Sequence, residues 1–393
     1  MEGFALRGHQ TVRLLAALLL TGCSSSGLPS SPPTVPTNSR TAFVVTGDFE
    51  TGSYAVLPIQ DPRAAAVDLG AVHGDAVART YENQIYVVNR FGADNIQRID
   101  PQQNWETVFQ CSVGNGSNPH DIAFASPRKA YVSRYEESSV AIVDPSVGPD
   151  CEGFWIGEID LSSFADADGI PEMDQMVIVN GLLFVALQRL NRNLFFEPTD
   201  ASFLVVIDTA TDQPIDTRPN TPAIDPIELT WTNPLGAGKG LPLDPATGDI
   251  LVVQVGSFAT IGDGGVETIA PTTFARSRIL ITEEDLGLNI TDFVAVDGRN
   301  AWAIAVDEHF LNQVVQIDMN LREIVQTPLR SETILTDMEF EPQSGSIWLS
   351  DRSFDNAGVR VFQASDGAGI ENPPFTTGLP PVDIVFLEPE SED

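Results

Sequence analysis

The residues best equipped for chemistry in this chain recur at matched places. Asp75, Asp121, Asp174, Asp292, Asp337 and Asp383 each stand at the head of a short apolar run, and Lys239-Gly240 fills a seventh such place. Brought into a ring, these carboxylates would draw a cation or polar ligand to one mouth. Taken singly, each Asp can instead accept backbone N–H groups in its own turn. Arg90, Arg134, Arg189 and Arg352 close the next apolar run in four of the segments. There a guanidinium either pairs with a neighbouring carboxylate or offers its fork to a carboxylate or phosphate ligand. His73 and His120 lie just before Asp75 and Asp121, and His309 falls in a later loop. A transition-metal or general-base site would need the three to converge.

The closest set of hard oxygen ligands is in FADADGIPEMDQ, residues 164–175, where Asp166, Asp168, Glu172 and Asp174 surround Gly169. That ligand type suits Ca²⁺, although Phe164 stands where an EF-hand loop would begin with Asp; the alternative is a solvated acidic loop. Two long loops, 188–201 with Arg189, Arg192, Phe195 and Phe196, and 256–277 with Phe258, interrupt the pattern and are the places where recognition surfaces are commonly carried. Phe195-Phe196 is either a partner anchor or a cover for the loop itself. No Gly-x-Ser-x-Gly elbow, phosphate loop or His-Glu-x-x-His motif occurs.

These residues are set among short runs rich in Val, Ile, Tyr and Phe, broken by Gly, Pro, Asn and Asp, with no long stretch of helical period. The pattern is all-β. Segments beginning at His120, Thr291 and Thr336 align with one another as strand, turn, strand, loop, strand, and the unit of about 40 to 55 residues is that of a propeller blade. IYVVNR, ending at Arg90, and AYVSRY, ending at Tyr135, stand where the YVTN-type, WD-repeat-like β-propeller family has its signature tetrapeptide, and the chain resembles that family across most of residues 41–388. The resemblance implies a fold and leaves function open. Seven innermost strands start near the seven places above. The last, at Asp383, has no partners after it, whereas the chain from Thr41 opens with three strands that lack an innermost one. Pairing the two ends would close a ring of seven four-stranded blades and remove the exposed edges. The irregular stretch 226–282 leaves six or eight blades open.

The ends indicate a compartment. Arg7 and Arg13 precede a short apolar run that reaches Leu20-Thr21-Gly22-Cys23, which resembles a bacterial lipobox. The resemblance implies cleavage after residue 22 and acylation of Cys23, with Ser24 favouring the outer membrane. The expected organisation is a signal peptide at 1–22, the lipidated Cys and a Ser/Pro-rich tether at 23–40, the propeller at 41–388 and an acidic tail at 389–393. In such an oxidising location Cys111 and Cys151, one repeat apart, are expected to form a disulfide. With 55 acidic residues against 21 Lys and Arg the net charge is −34, which opposes binding to nucleic acid or anionic lipid. The expected protein is therefore a monomeric, lipid-anchored binding module for a protein, peptide or glycan, with calcium as the one cofactor suggested. The alternative is a metal-dependent lyase or hydrolase at the channel mouth.

Overall fold

The computed structural model describes residues 39–60, 64–236, 239–370 and 373–388; the expected signal peptide, Cys23 and nearly all of the expected tether lie outside them, as does the acidic tail. Seven antiparallel sheets follow one another. Blade 1 is Pro381–Leu387, Thr41–Gly47, Gly52–Pro58 and Ala71–Val72, in that order from the innermost strand outward. The first and last described strands thus share a sheet, with Val45 opposite Asp383 and Phe43 opposite Val385. Blade 2 runs Ala76–Tyr81, Gln84–Asn89, Asn95–Asp100 and Glu106–Ser112, and blade 3 runs Pro119–Ser126, Lys129–Arg134, Ser139–Val143 and Trp155–Asp160. Blade 4 contains Met173–Val179, Leu182–Leu187, Phe203–Asp208 and Gln213–Pro214, and Ile227–Glu228 also pairs with its third strand.

Blade 5 has three regular strands, Ile250–Gln254, Gly265–Ile269 and Arg276–Thr282. Its innermost place is taken by the chain around Gly240–Leu243, which makes a bridge from Leu243 to Ile250 and accepts the Leu251 N–H at Pro242. The Pro residues at 242 and 245 prevent a continuous ladder there, which explains why this repeat is the hardest to align. Blade 6 is Asn289–Ala295, Asn300–Val306, Asn312–Asp318 and Glu323–Ser331; blade 7 is Leu335–Glu341, Ser346–Asp351 and Gly358–Gln363, with bridges to Gly369 and Phe375 along its outer edge.

Tight turns account for the regular spacing. Glu82-Asn83 and Asn180-Gly181 both adopt positive φ at their two central positions, the geometry that matches strand twist in a two-residue hairpin. Strands such as Gln84–Asn89 and Ser346–Asp351 are buried on both faces, because each blade lies between two others. The apolar clusters are accordingly interblade: Tyr131 and Val140 of blade 3 pack with Leu183 and Val205 of blade 4, and Trp348 and Val361 of blade 7 pack with Val44 and Leu57 of blade 1.

Polar stitches join the innermost strands. The Asp383 carboxylate accepts the Ala78 N–H at 2.6 Å, Asp121 accepts that of Met176 at 2.7 Å, Asp292 that of Met338 at 2.9 Å, and Asp337 that of Ile384 at 2.9 Å. Each bond crosses to the next blade. Asp121 and Asp292 also accept the N–H of the residue that follows them. Register shifts fall at or beside the four positions, between Pro119 and Asp121, Ile290 and Asp292, Leu335 and Met338, and opposite Asp383; bulges of this kind re-aim a side chain.

Cys111, on the outermost strand of blade 2, is bonded to Cys151, in the loop between the outer strands of blade 3, with Cα atoms 5.6 Å apart. Closing a 40-residue loop should stabilise the native state by about 4 kcal/mol in the chain-entropy account. The Cys111→Ser protein should therefore unfold at a clearly lower guanidinium midpoint, and reductant should lower the midpoint of the unsubstituted protein but not that of the variant.

Candidate binding face

In every blade the loop between the second and third strands emerges on the same side of the ring as the start of the innermost strand. At the centre of that side is a depression of about 330 Å³ lined by Asp75, Arg90, His120, Tyr135, Asp174 and Arg352, among others. Its polar groups hold one another. Arg90 is ion-paired to Asp75. His120 meets Asp174 through Nδ1 at 2.9 Å and stacks on Tyr135 at 4.3 Å between ring centroids. The Tyr135 hydroxyl donates to Gln188 Oε1 at 2.9 Å, and the Gln188 amide donates to Asp174 and to the Pro234 carbonyl. Burial, with Asp174 and Glu172 nearby, pushes the Tyr135 phenol far above its usual range, so it stays a neutral donor. Arg352 lies over the Phe49 ring at 4.7 Å and donates to the carbonyls of Gly47 and Pro381.

Two further depressions adjoin this one. One of about 410 Å³ lies under Phe195, Phe196 and Phe258 and shares Tyr135, Gln188 and Leu235 with the centre. The other, of about 470 Å³, is walled by Phe258, Phe310, Ile334 and Leu335 and shares Leu235 and Thr336 with the centre. Together they form a trough, polar in the middle and aromatic toward its edge.

The ring of carboxylates lies deeper than its sequence positions suggest, and two of its expected members, Asp75 and Asp174, belong to the mouth. Asp121, Asp292, Asp337 and Asp383 are buried in the channel wall. Asp75 and Asp174 precede the equivalent positions, which are held by Val77 and Gln175, and so rise to the mouth. Lys239 likewise precedes Gly240, and its ammonium turns into the channel, 3.0 Å from Asp292, 3.3 Å from Glu339 and 3.8 Å from Asp337, while donating to the Met338 carbonyl. Arg79 pairs with Asp121 at 2.7 Å. Burial raises the carboxyls of Asp121, Asp292, Asp337, Glu339 and Asp383, that of Asp383 to about 7, against the attraction of Lys239 and Arg79. Past these charges the channel widens into a cavity of about 520 Å³ with largely apolar walls at the opposite end. Arg79 and Glu339 are site residues that repeat counting missed, since each occurs at its position in one blade alone.

The four carboxylates of residues 164–175 do not meet at a point. Glu172 is fully buried and accepts from Arg192 Nε at 2.7 Å and from the Leu190 N–H. Asp174 is held by His120 and Gln188, and Asp166 and Asp168 accept N–H groups within their own turn. Arg192, from the long 188–201 loop, pairs with Glu172 and Glu136 and approaches Asp168 at 3.8 Å, so a guanidinium stands where a calcium ion was expected. The histidines do not gather either. His73 faces the backbone of Asp75, and His309 is exposed beside Glu308. Among the described residues no group of three or more His, Cys, Asp or Glu side chains is placed to hold a metal ion. Arg134 donates to Ser139 and stacks on Trp155, and Arg189 donates to the Ala201 carbonyl over Phe203; both brace their own blades.

No family model matches the chain, and no curated protein matches it in sequence. Solved structures do. A protein from Lactobacillus plantarum superposes with a TM-score of 0.59 at 13% identity, over 89% of this chain and 99% of that one. A putative 6-phosphogluconolactonase from Bacteroides fragilis gives 0.57 at 12% identity, over 92% and 100%. The WD40 domain of Neurospora crassa Pan2 gives 0.52 at 10% identity, over 78% and 81%. At these identities the likeness shows the fold, a seven-bladed β-propeller.

Two outcomes follow from the charges. Removing Arg192 by Arg192→Ala strands a buried carboxylate and should cost about 3 kcal/mol, the low end for a broken buried pair because the guanidinium is partly exposed, whereas Glu172→Gln should cost less; paired denaturant titrations read both. Burial also lifts Glu172 and Glu283 to about 7, as it does Asp383. Unfolded carboxyls titrate near 4, so the native state binds extra protons between about pH 4 and 7 and loses stability as pH rises through that window. Glu341 is the reverse case: hydrogen bonds from Arg40 and Ser344 outweigh burial and bring it to about 2, so its contribution is lost as pH falls below about 4.5. Melting temperature should thus peak at about pH 4 to 4.5 and decline on both sides, and a maximum at about pH 8 would contradict the burial of these groups.

Proposed function

We propose that this chain is a lipid-anchored, extracytoplasmic interaction module of the YVTN-type propeller family, whose loop face receives a protein or peptide partner. The trough across that face carries the reading: three adjoining depressions share lining residues, combine fixed polar groups with large aromatic side chains, and sit on a rigid ring. Concave, mostly apolar sites with a few oriented polar groups are the usual form of recognition sites, and aromatic residues concentrate binding energy at interfaces. The His120–Asp174–Gln188–Tyr135 network holds its own members in place and so gives the trough a fixed polar floor against which a partner can dock. Anchoring rests on the Leu20-Thr21-Gly22-Cys23 motif, and residence in an oxidising compartment is supported by the Cys111–Cys151 bond.

The anchor is tested by fatty-acid labelling in a bacterial host. Label and membrane retention should both disappear in Cys23→Ala, and retention without label would overturn the lipid assignment. The binding face is tested by selecting binders from a random peptide library on the full chain and mapping them by hydrogen exchange. Protection should fall on residues 90–94, 135–138, 188–202, 255–264 and 307–311; protection on the opposite end of the channel would refute the placement. Calcium and magnesium at equal ionic strength should give the same melting temperature, since Arg192 already neutralises the acidic loop.

A further inference from the structure

The loops that surround the trough share a feature that their lengths and sequences otherwise hide. Each loop between a blade's second and third strands bears an aromatic residue: Phe49 in blade 1, Phe91 in blade 2, Tyr135 in blade 3, Phe195 and Phe196 in blade 4, Phe258 in blade 5, Phe310 in blade 6 and Phe354 in blade 7. Tyr135 turns inward onto His120. The others remain in solvent, with Phe354 at 96% and Phe195 at 95% relative exposure and Phe49, Phe91 and Phe310 all above 60%. A lone exposed apolar side chain needs no explanation, but an apolar set repeated around one face does. Phe49, Phe91, Phe195, Phe196 and Phe310 moreover occupy left-handed backbone, where Gly or Asn would fit with less strain. In the free protein that strain is not recovered by burial of the rings.

The charge beside these rings selects the partner. Exposed acids accompany the crown: Glu50 follows Phe49, Glu197 follows Phe196, Glu308 lies two residues before Phe310, and Asp355 follows Phe354. The arginines of the same loops are occupied, Arg90 with Asp75, Arg352 over Phe49, and Arg192 with Glu136 and Glu172. Such a face offers aromatic π surfaces and exposed carboxylates to whatever approaches, a combination suited to guanidinium and ammonium groups. It repels an anionic membrane surface.

Resting on the loop-face reading above, we propose that the aromatic crown docks an extended segment of another protein that is rich in arginine or lysine and interleaved with apolar residues. Its cations lie on the Phe rings and acids, and its apolar residues enter the two flanking depressions.

The experiment uses the full chain and fluorescence anisotropy at physiological salt, with three labelled peptides of equal length: alternating arginine and leucine, alternating glutamate and leucine, and alternating arginine and serine. The arginine–leucine peptide should bind, each of the other two at least tenfold more weakly. The double variant Phe195→Ser, Phe354→Ser should weaken its binding at least tenfold with an unchanged melting temperature, because both rings are almost wholly in solvent. Equal binding of arginine–serine by chain and variant would mean charge alone and would overturn the aromatic role. Preference for glutamate–leucine, or sedimentation of the chain with zwitterionic vesicles in a manner abolished by the double variant, would overturn the basic partner while leaving the loop face as the binding surface. Binding that the variant retains, with protection mapped to another face, would sink both readings.

Discussion

The carboxylate that reaches from one innermost strand to the backbone of the next is the interaction on which this molecule depends. A propeller blade pairs its own strands through the backbone, but neighbouring blades meet face to face and share apolar contacts, which are non-directional. Four Asp side chains supply direction at the channel wall. Asp337 reaches Ile384 and Asp383 reaches Ala78, so two of the four stitches fasten Pro381–Leu387, which is not adjacent in the chain to Thr41–Gly47, the strand it pairs with. The position where the ring must close is therefore where its polar fastening is concentrated.

Fastening of this kind has an electrostatic consequence. Buried carboxylates are tolerated only when paired or hydrogen-bonded, and here two cations, Arg79 and Lys239, face five acids in the channel. The remaining compensation comes from backbone N–H groups and from protonation, which is why burial drives these groups upward. It also explains why the irregular fifth blade matters. With no Asp of its own at the matched place, it contributes Lys239 instead, and that ammonium reaches acids of blades 6 and 7. The blade that departs most from the repeat supplies the charge that the other blades need.

Much of the fold could be read from the sequence because hydrophobic period and turn residues determine blades locally. The closing strand was legible from an incomplete repeat at each end, and the disulfide from two cysteines one repeat apart. The site was only half legible. Asp75, Arg90, His120, Asp174 and Arg352 do share the mouth, yet Asp75 and Asp174 were counted with the wrong ring. The bulge beside each channel Asp adds a residue to the count, so one-residue offsets in an alignment become different depths in the channel. Phe195 and Phe196 stood out as adjacent aromatics, whereas single phenylalanines such as Phe91 and Phe354 resemble ordinary loop residues until the ring brings them to one side. Arg192 was invisible as the counter-ion of Glu172 because the two are joined through tertiary contact across a long loop.

The two ends of the channel divide the work between stability and contact. The charged belt lies between them, and its members are spent on one another, so it presents little to a ligand from the loop side. Mouth residues are likewise internally bonded, with Tyr135, His120, Gln188 and Asp174 forming a closed network. The most exposed groups on that face are at the loop periphery, where Phe195 and Phe354 stand almost wholly in solvent. On the proposed reading, binding energy is displaced outward from the axis to the loops, the parts of a propeller that can vary without disturbing the stitches beneath. A ring rigid at its centre and adhesive at its rim can hold a long segment at several points at once, with little reorganisation on its own side, and that keeps the entropic cost of association low.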